Sequence, residues 1–152
     1  MTPSVQATLT GRVVRVIDGD TVVVLTTSER TVRVRLAGID APEKGQPFGQ
    51  RARQFLASRV AGRVVKVAGD SRDHHDRVLG TLWADNRDIN AELACGGMAC
   101  GGMAWAYRVR DVAQNPAYLQ CEKAAREEKK GLWREPSPVP PWQWRKQSHS
   151  DV

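Results

Sequence analysis

The sequence predicts an α+β domain: five short strands forming a barrel, with about three helices packed on it. Three observations carry this. Valine-rich runs of strand length crowd the first 85 residues. Apolar residues then recur at helical spacing in three later segments, and turn residues punctuate both kinds of run. At 152 residues the chain has the length of one ordinary domain, long enough to bury a core without staples.

The strands come first. Leu9 to Ile17 and Thr21 to Leu25 are rich in valine, and Thr31 to Leu36 alternates apolar with charged residues. They read as an antiparallel meander with one wet face, turned by Asp18-Gly19 and by the polar stretch from Thr26 to Arg30. Arg63 to Val67 and Val78 to Trp83 supply two more. Five is the OB-fold count, although periodicity alone also suits an SH3-like barrel.

Helices are expected over Gln50 to Val60, Ile89 to Ala94 and Pro116 to Lys130. In the first, Ala52, Phe55, Leu56 and Val60 share a face before Gly62. The last opens at Asn115-Pro116, a capping residue followed by proline, and stops at Gly131. With prolines at 136, 138, 140 and 141, Glu135 to Arg145 is expected to lie extended over the barrel. A single domain over residues 8–146 follows, with 1–7 and 147–152 as flexible termini.

Composition narrows the partner. Lysine and arginine total 23 against 17 acidic residues, and 17 of the cations are arginine, whose planar fork suits phosphate. No apolar run approaches a membrane span, and Met1 to Thr10 lacks the pattern of a signal peptide. Cys95, Cys100 and Cys121 are an odd count in no zinc spacing, so they read as free thiols and no metal site is assigned to sulfur.

Chemistry concentrates at two turns. Asp18-Gly19-Asp20-Thr21 joins the first two strands, and Ile39-Asp40-Ala41-Pro42-Glu43 follows the third. Asp20, Asp40 and Glu43 thus leave adjacent strand ends, where they could converge on one hard cation through oxygen alone. Either motif by itself reads more readily as a turn signal, and it is their joint appearance at this spacing that points to a site. Arg33 and Arg35 point to one side of the third strand, and Arg77 opens the fifth.

Together the residues resemble a known family. V-I-D-G-D-T (Val16 to Thr21), V-R-L-A-G-I-D-A-P-E (Val34 to Glu43), G-Q-R-A (Gly49 to Ala52) and D-x-x-x-R-x-L-G (Asp73 to Gly80) occur in order. N-A-E-L (Asn90 to Leu93), G-M-A-W-A-Y (Gly102 to Tyr107) and G-L-W (Gly131 to Trp133) follow. This series is similar to the staphylococcal nuclease family, and the tail P-W-Q-W-R (Pro141 to Arg145) to its bacterial and plasmid-borne ParB-like members.

The resemblance implies a calcium-dependent phosphodiesterase that cuts DNA and RNA with little sequence preference and leaves 3′-phosphates. It implies Asp20, Asp40 and the Ala41 carbonyl as calcium ligands, and Glu43 as the residue that orients or deprotonates water. It makes Arg35 and Arg77 the guanidiniums on the scissile phosphate, and Tyr107 part of the nucleotide pocket. Export from the cytoplasm is likewise implied; no membrane partner is expected, and a monomer is, with a domain-swapped dimer as the alternative. The competing reading is a catalytically inactive OB-type module that only binds nucleic acid or a partner.

Three departures stand out. Relatives commonly read Asp-x-Tyr-Gly-Arg where this chain has Asp73-His74-His75-Asp76-Arg77. His75 is expected to contact the nucleotide, more strongly when protonated below about pH 6.5, and Asp76 to place a negative charge beside Arg77. A zinc site on the two histidines is disfavoured because neighbours in a strand point oppositely. Finally, Ala94-Cys95-Gly96-Gly97-Met98 is repeated at once as Ala99 to Met103. Five residues are out of phase with a helix by roughly 140°, so the helix from Ile89 is expected to stop at Gly96-Gly97 and leave Met98 to Gly102 as an added loop.

Overall fold

A computed structural model of the chain describes residues 8–95 and 103–150. The strands are β1 (Leu9–Asp18), β2 (Thr21–Thr26), β3 (Thr31–Leu36), β4 (Ile39–Asp40), β5 (Val64–Arg72), β6 (Val78–Ala84), β7 (Arg87–Asp88), β8 (Trp105–Ala106), β9 (Arg108–Val109) and β10 (Val112–Ala113). The helices are α1 (Gly49–Val60), α2 (Ile89–Cys95), α3 (Pro116–Glu127) and α4 (Pro141–Ser150), with a 3-10 turn over Gly131–Arg134.

The expected meander forms, with β1 antiparallel to β2 and β2 to β3. β1 also pairs with β5, β5 with β6, and a parallel pairing of β3 with β6 closes the ring. Five strands therefore make a closed mixed barrel of the OB type, and β7 adds a short extra strand to β6. Alternation explains the filling: Val13, Val22, Val24, Val34, Leu36, Val65, Val67 and Leu82 point inward and are almost fully buried.

α1 lays Ala52, Phe55, Leu56 and Val60 against this core, as its spacing requires. Gly19, in the turn between β1 and β2, sits so close to it that an added Cβ would come within 2.7 Å of the Ala52 methyl and 2.9 Å of that of Ala41. Asn90, at the start of α2, is fully buried and spans the seam. Its side chain accepts from Leu82 N (3.0 Å) and donates to Ala37 O (2.9 Å) and Gly80 O (3.1 Å). α3 starts as expected, Asn115 accepting from Ala117 N with Pro116 in the first turn.

Two expectations fail. The C-terminal segment is not extended throughout, because Pro141 opens α4, which continues to Ser150 and so takes in residues 147–150. A proline lacks only a donor that the first turn leaves unused, so it starts a helix readily. Nor are all the cysteines free: Cys121 on α3 is disulfide-bonded. The loop expected of the repeat falls on residues 96–102, outside those described; α2 runs through Cys95, and Met103 N returns to Leu93 O at 2.8 Å.

A smaller cluster carries the C-terminal third. Trp105, Ala125, Leu132 and Trp133 pack together with Phe48 and Trp142. Beneath it Glu122 of α3 is 1 % exposed. It accepts from Ala106 N at 2.8 Å and pairs with Arg108 and, at 3.1 Å, with Arg126. α3 is thereby tied to β8, which pairs with β4.

Candidate active site

A cavity of about 640 Å³ opens at one end of the barrel, lined by Asp20, Arg35, Ala41, Glu43, His75, Arg77 and Tyr107. Asp40, the remaining predicted residue, is fully buried beside it on β4 and joined to Arg35. All eight predicted site residues are thus brought to one place.

Asp20 stands where β2 begins. Its Oδ1 accepts from Thr21 Oγ1 at 3.0 Å and its Oδ2 from Ala41 N at 2.9 Å, so it ties one motif to the other. Arg35, one register step away on β3, donates from Nη1 to Leu36 O at 2.6 Å. Its Nη2 lies 3.4 Å from both Asp20 Oδ2 and Asp40 Oδ1. Two buried carboxylates therefore converge on one cationic atom. Burial pushes the Asp40 carboxyl above the usual range, even though Arg145 pulls it down. Asp18 is raised as well, by burial and then by the charges of Asp20 and Glu43.

Glu43 hangs from the loop after β4, its side chain 40 % exposed. The loop is held by Gln46, whose Oε1 accepts from Glu43 N at 3.1 Å, and it passes so close to Gly49 that a Cβ there would lie 1.8 Å from Glu43 O. Across the cavity Asp73 Oδ1 accepts from His75 N and Arg77 N, both at 2.9 Å, and its Oδ2 takes Arg77 Nε at 2.7 Å. Burial would raise the Asp73 carboxyl, but those hydrogen bonds outweigh it and the net shift is downward.

Several expectations need correction. Asp20, Asp40 and Glu43 do not converge on one point: among the described residues no three His, Cys, Asp or Glu side chains form an ion-binding group. Glu43 instead receives Arg145 Nη1 at 3.2 Å. Asp76 does not turn its charge on Arg77; it pairs with Arg72 at 3.2 Å. It also takes a left-handed φ of 59°, which explains why glycine suits that position. The histidines sit in a turn rather than a strand, and their rings lie 4.0 Å apart, so the argument that they must diverge fails.

Some residues went unassigned by sequence reasoning. Asp18, His74 and Gln114 also line the cavity, and so does Arg145 of α4. Arg145 Nη2 meets Asp40 Oδ2 at 2.6 Å and Nη1 meets Asp40 Oδ1 at 3.2 Å, a two-pronged ion pair over 105 residues of sequence. Nothing in local spacing announces such a contact.

The donor set fits a hard cation. Asp20 and Asp40 offer oxygen only, neither His nor Cys is grouped with them among the described residues, and both already face guanidinium nitrogen.

Residues 33–135 match the family model described as staphylococcal nuclease homologue. The chain belongs to the staphylococcal nuclease family. Among this nuclease-family chain's relatives, Protein ParB of Escherichia coli is 46% identical over 95% of this chain and 83% of its own length. Micrococcal nuclease of Shigella flexneri is 42% identical over 91% and 81%. An uncharacterized endonuclease of Haemophilus influenzae is 40% identical over 91% and 74%.

Proposed function

We propose that this family member is a calcium-dependent nuclease that hydrolyses DNA and RNA without marked sequence preference and leaves 3′-phosphate ends. The observation that carries the reading is the pair of buried carboxylates, Asp20 and Asp40, facing one cationic nitrogen in a cavity that also holds Arg77 and Glu43. Family membership supports nuclease chemistry, and the all-oxygen donors support calcium.

Asp20, Asp40 and the Ala41 carbonyl would hold calcium, which when bound would supply positive charge at the phosphate and make nearby water more acidic. Glu43, at the open side of the cavity, takes the proton from the attacking water. The water oxygen bonds to phosphorus, the bond from phosphorus to the 5′-oxygen breaks, and that oxygen takes up a proton. Arg35 and Arg77 meet the negative charge that grows on the phosphate oxygens; each is already oriented by a carboxylate, so little reorganisation is needed. Tyr107 and His75 line the nucleotide side. The disulfide at Cys121 supports residence in an oxidising compartment, outside the cytoplasm. The working form is taken as a monomer.

Plasmid DNA and RNA incubated with calcium should both be degraded, and chelator should stop the reaction. Asp20→Ala or Asp40→Ala should remove activity while the circular dichroism stays native. End-labelling should find 5′-hydroxyls. Full activity in chelator, or in either variant, would refute the metal assignment, and 5′-phosphate products would refute the bond broken. Inactivity of the folded wild-type protein under every metal would favour the binding-module reading.

A further inference from the structure

The contact of Arg145 with the carboxylates is unexplained by the chemistry above. Arg145 takes both oxygens of Asp40 and one of Glu43, so a single guanidinium satisfies the proposed metal ligand and the proposed base at once. A cation binding Asp40 needs oxygen lone pairs that this fork already engages, and both cannot hold them fully.

Arg145 is carried on the short helix α4. α4 has ten residues, short of the length at which a helix stands alone in water, so it depends on its contacts. Several of them centre on Trp142 and the proline before it. Pro141 is buried, Trp142 meets Trp105 edge-on at 5.4 Å between ring centroids, and the Arg108 guanidinium lies 5.4 Å from the Trp142 ring. Arg145 follows Trp142 by three residues, one turn along the same face. Just upstream, Gln46 Nε2 donates to Val139 O at 2.5 Å while its Oε1 holds the Glu43 amide. The strap leading into α4 is thus registered to the loop that bears Glu43.

Charge gives the contact its direction. The carboxylates facing the cavity are Asp18, Asp20, Glu43 and Asp73, with Asp40 behind them; the facing guanidiniums are Arg35, Arg77 and Arg145. Arg77 is engaged by Asp73. Without Arg145 the metal end of the cavity would keep its carboxylates with Arg35 as their remaining guanidinium partner among those cavity residues. Arg145 lowers that negative charge and so weakens attraction for any other cation.

We propose that Arg145 is a tethered cation that occupies Asp40 and Glu43 until a divalent ion displaces it, making α4 a latch on the metal site. The inference rests on the metal-dependent reading above. Binding of calcium then requires the guanidinium to leave Asp40, and the affinity measured is the difference between the two cations. Release of α4 from Asp40 and Glu43 accompanies metal binding and frees a third guanidinium at the cavity.

The test is calcium binding by titration calorimetry on the full chain without nucleic acid, for wild type, Arg145→Gln and Arg145→Lys. Glutamine removes the charge at similar reach, and lysine keeps the charge but loses the fork. Arg145→Gln should bind calcium at least tenfold more tightly, with Arg145→Lys between it and wild type. In wild type, calcium should also speed amide hydrogen exchange across 141–147 while the barrel strands stay protected. Equal or weaker calcium binding by Arg145→Gln would overturn the latch, as would unchanged exchange in α4. No calcium binding by any of the three proteins would instead overturn the metal reading and the latch with it.

Discussion

Replacing Asn90 by alanine is expected to cost about 4 kcal/mol of stability. The side chain is fully buried and makes three hydrogen bonds, each between 2.9 and 3.1 Å. Losing the acceptor leaves the Leu82 amide buried without its side-chain partner, worth about 2 kcal/mol. Losing the two donors removes about 1 kcal/mol each, although Gly80 O keeps the Ala37 amide at 2.9 Å. For a chain of this size that total lowers Tm by roughly 10 °C. Asn90→Asp should do no better, since it keeps the acceptor but turns a charge on two carbonyls. Urea unfolding followed by circular dichroism reads the loss as a shifted midpoint at constant slope. The folded fraction should retain its activity, because Asn90 does not line the cavity. A loss below about 1 kcal/mol at constant slope would refute the reasoning and assign the seam to strand pairing alone.

Arg35→Ala and Arg77→Ala should each lower kcat by about 10²-fold or more with KM little changed, as for groups that meet charge in the transition state; a change confined to KM would make them simple anchors. Asp73 ionises more readily in the fold than its ordinary 3.8, so its contribution is present above that pH and disappears as pH falls through the lower folded value. Asp73→Asn should therefore destabilise at pH 6 and much less at pH 3; an equal penalty at both would exclude the ionised form as the cause. With three cysteines and one disulfide, thiol titration should find one free thiol before reduction and three after, and reduction should lower stability by about 3 kcal/mol. Deleting either copy of the repeat yields the same sequence, which keeps one cysteine to pair with Cys121. That protein should stay folded and active with no free thiol, and loss of either property would show that the extra five residues are structural.

The barrel was legible because its physics is local. Alternation in Thr31 to Leu36 and the valines of the other strands state which side faces inward, and turns at Asp18-Gly19 and Gly38 state where each run ends. The carboxylates and arginines were legible through turn motifs whose order matched a family. What escaped depends on distant parts of the chain. Arg145 reaches Asp40 only because α4 docks on Trp105, and Glu122 looks like one more acid on an amphipathic helix until Arg108 and Ala106 are folded over it. The proline run misled because three of its prolines forbid helix while the fourth, Pro141, starts one. An odd cysteine count likewise conceals a disulfide when one of the three is supernumerary.

The parallel seam between β3 and β6 also sets when this protein can act. Val34 pairs with Val78 and Arg35 with Leu79, a separation of 44 residues, so the seam is among the contacts for which much of the chain must first be gathered. Arg35 rides on one side of it, and Arg77 precedes the strand on the other. A nascent chain that has formed only its first meander carries Asp20 and Arg35 but has no second arginine facing them. On the proposed mechanism, which uses both arginines, cutting power would switch on at closure rather than grow with each strand. A cell that synthesises such an enzyme is shielded from it for as long as the ring stays open.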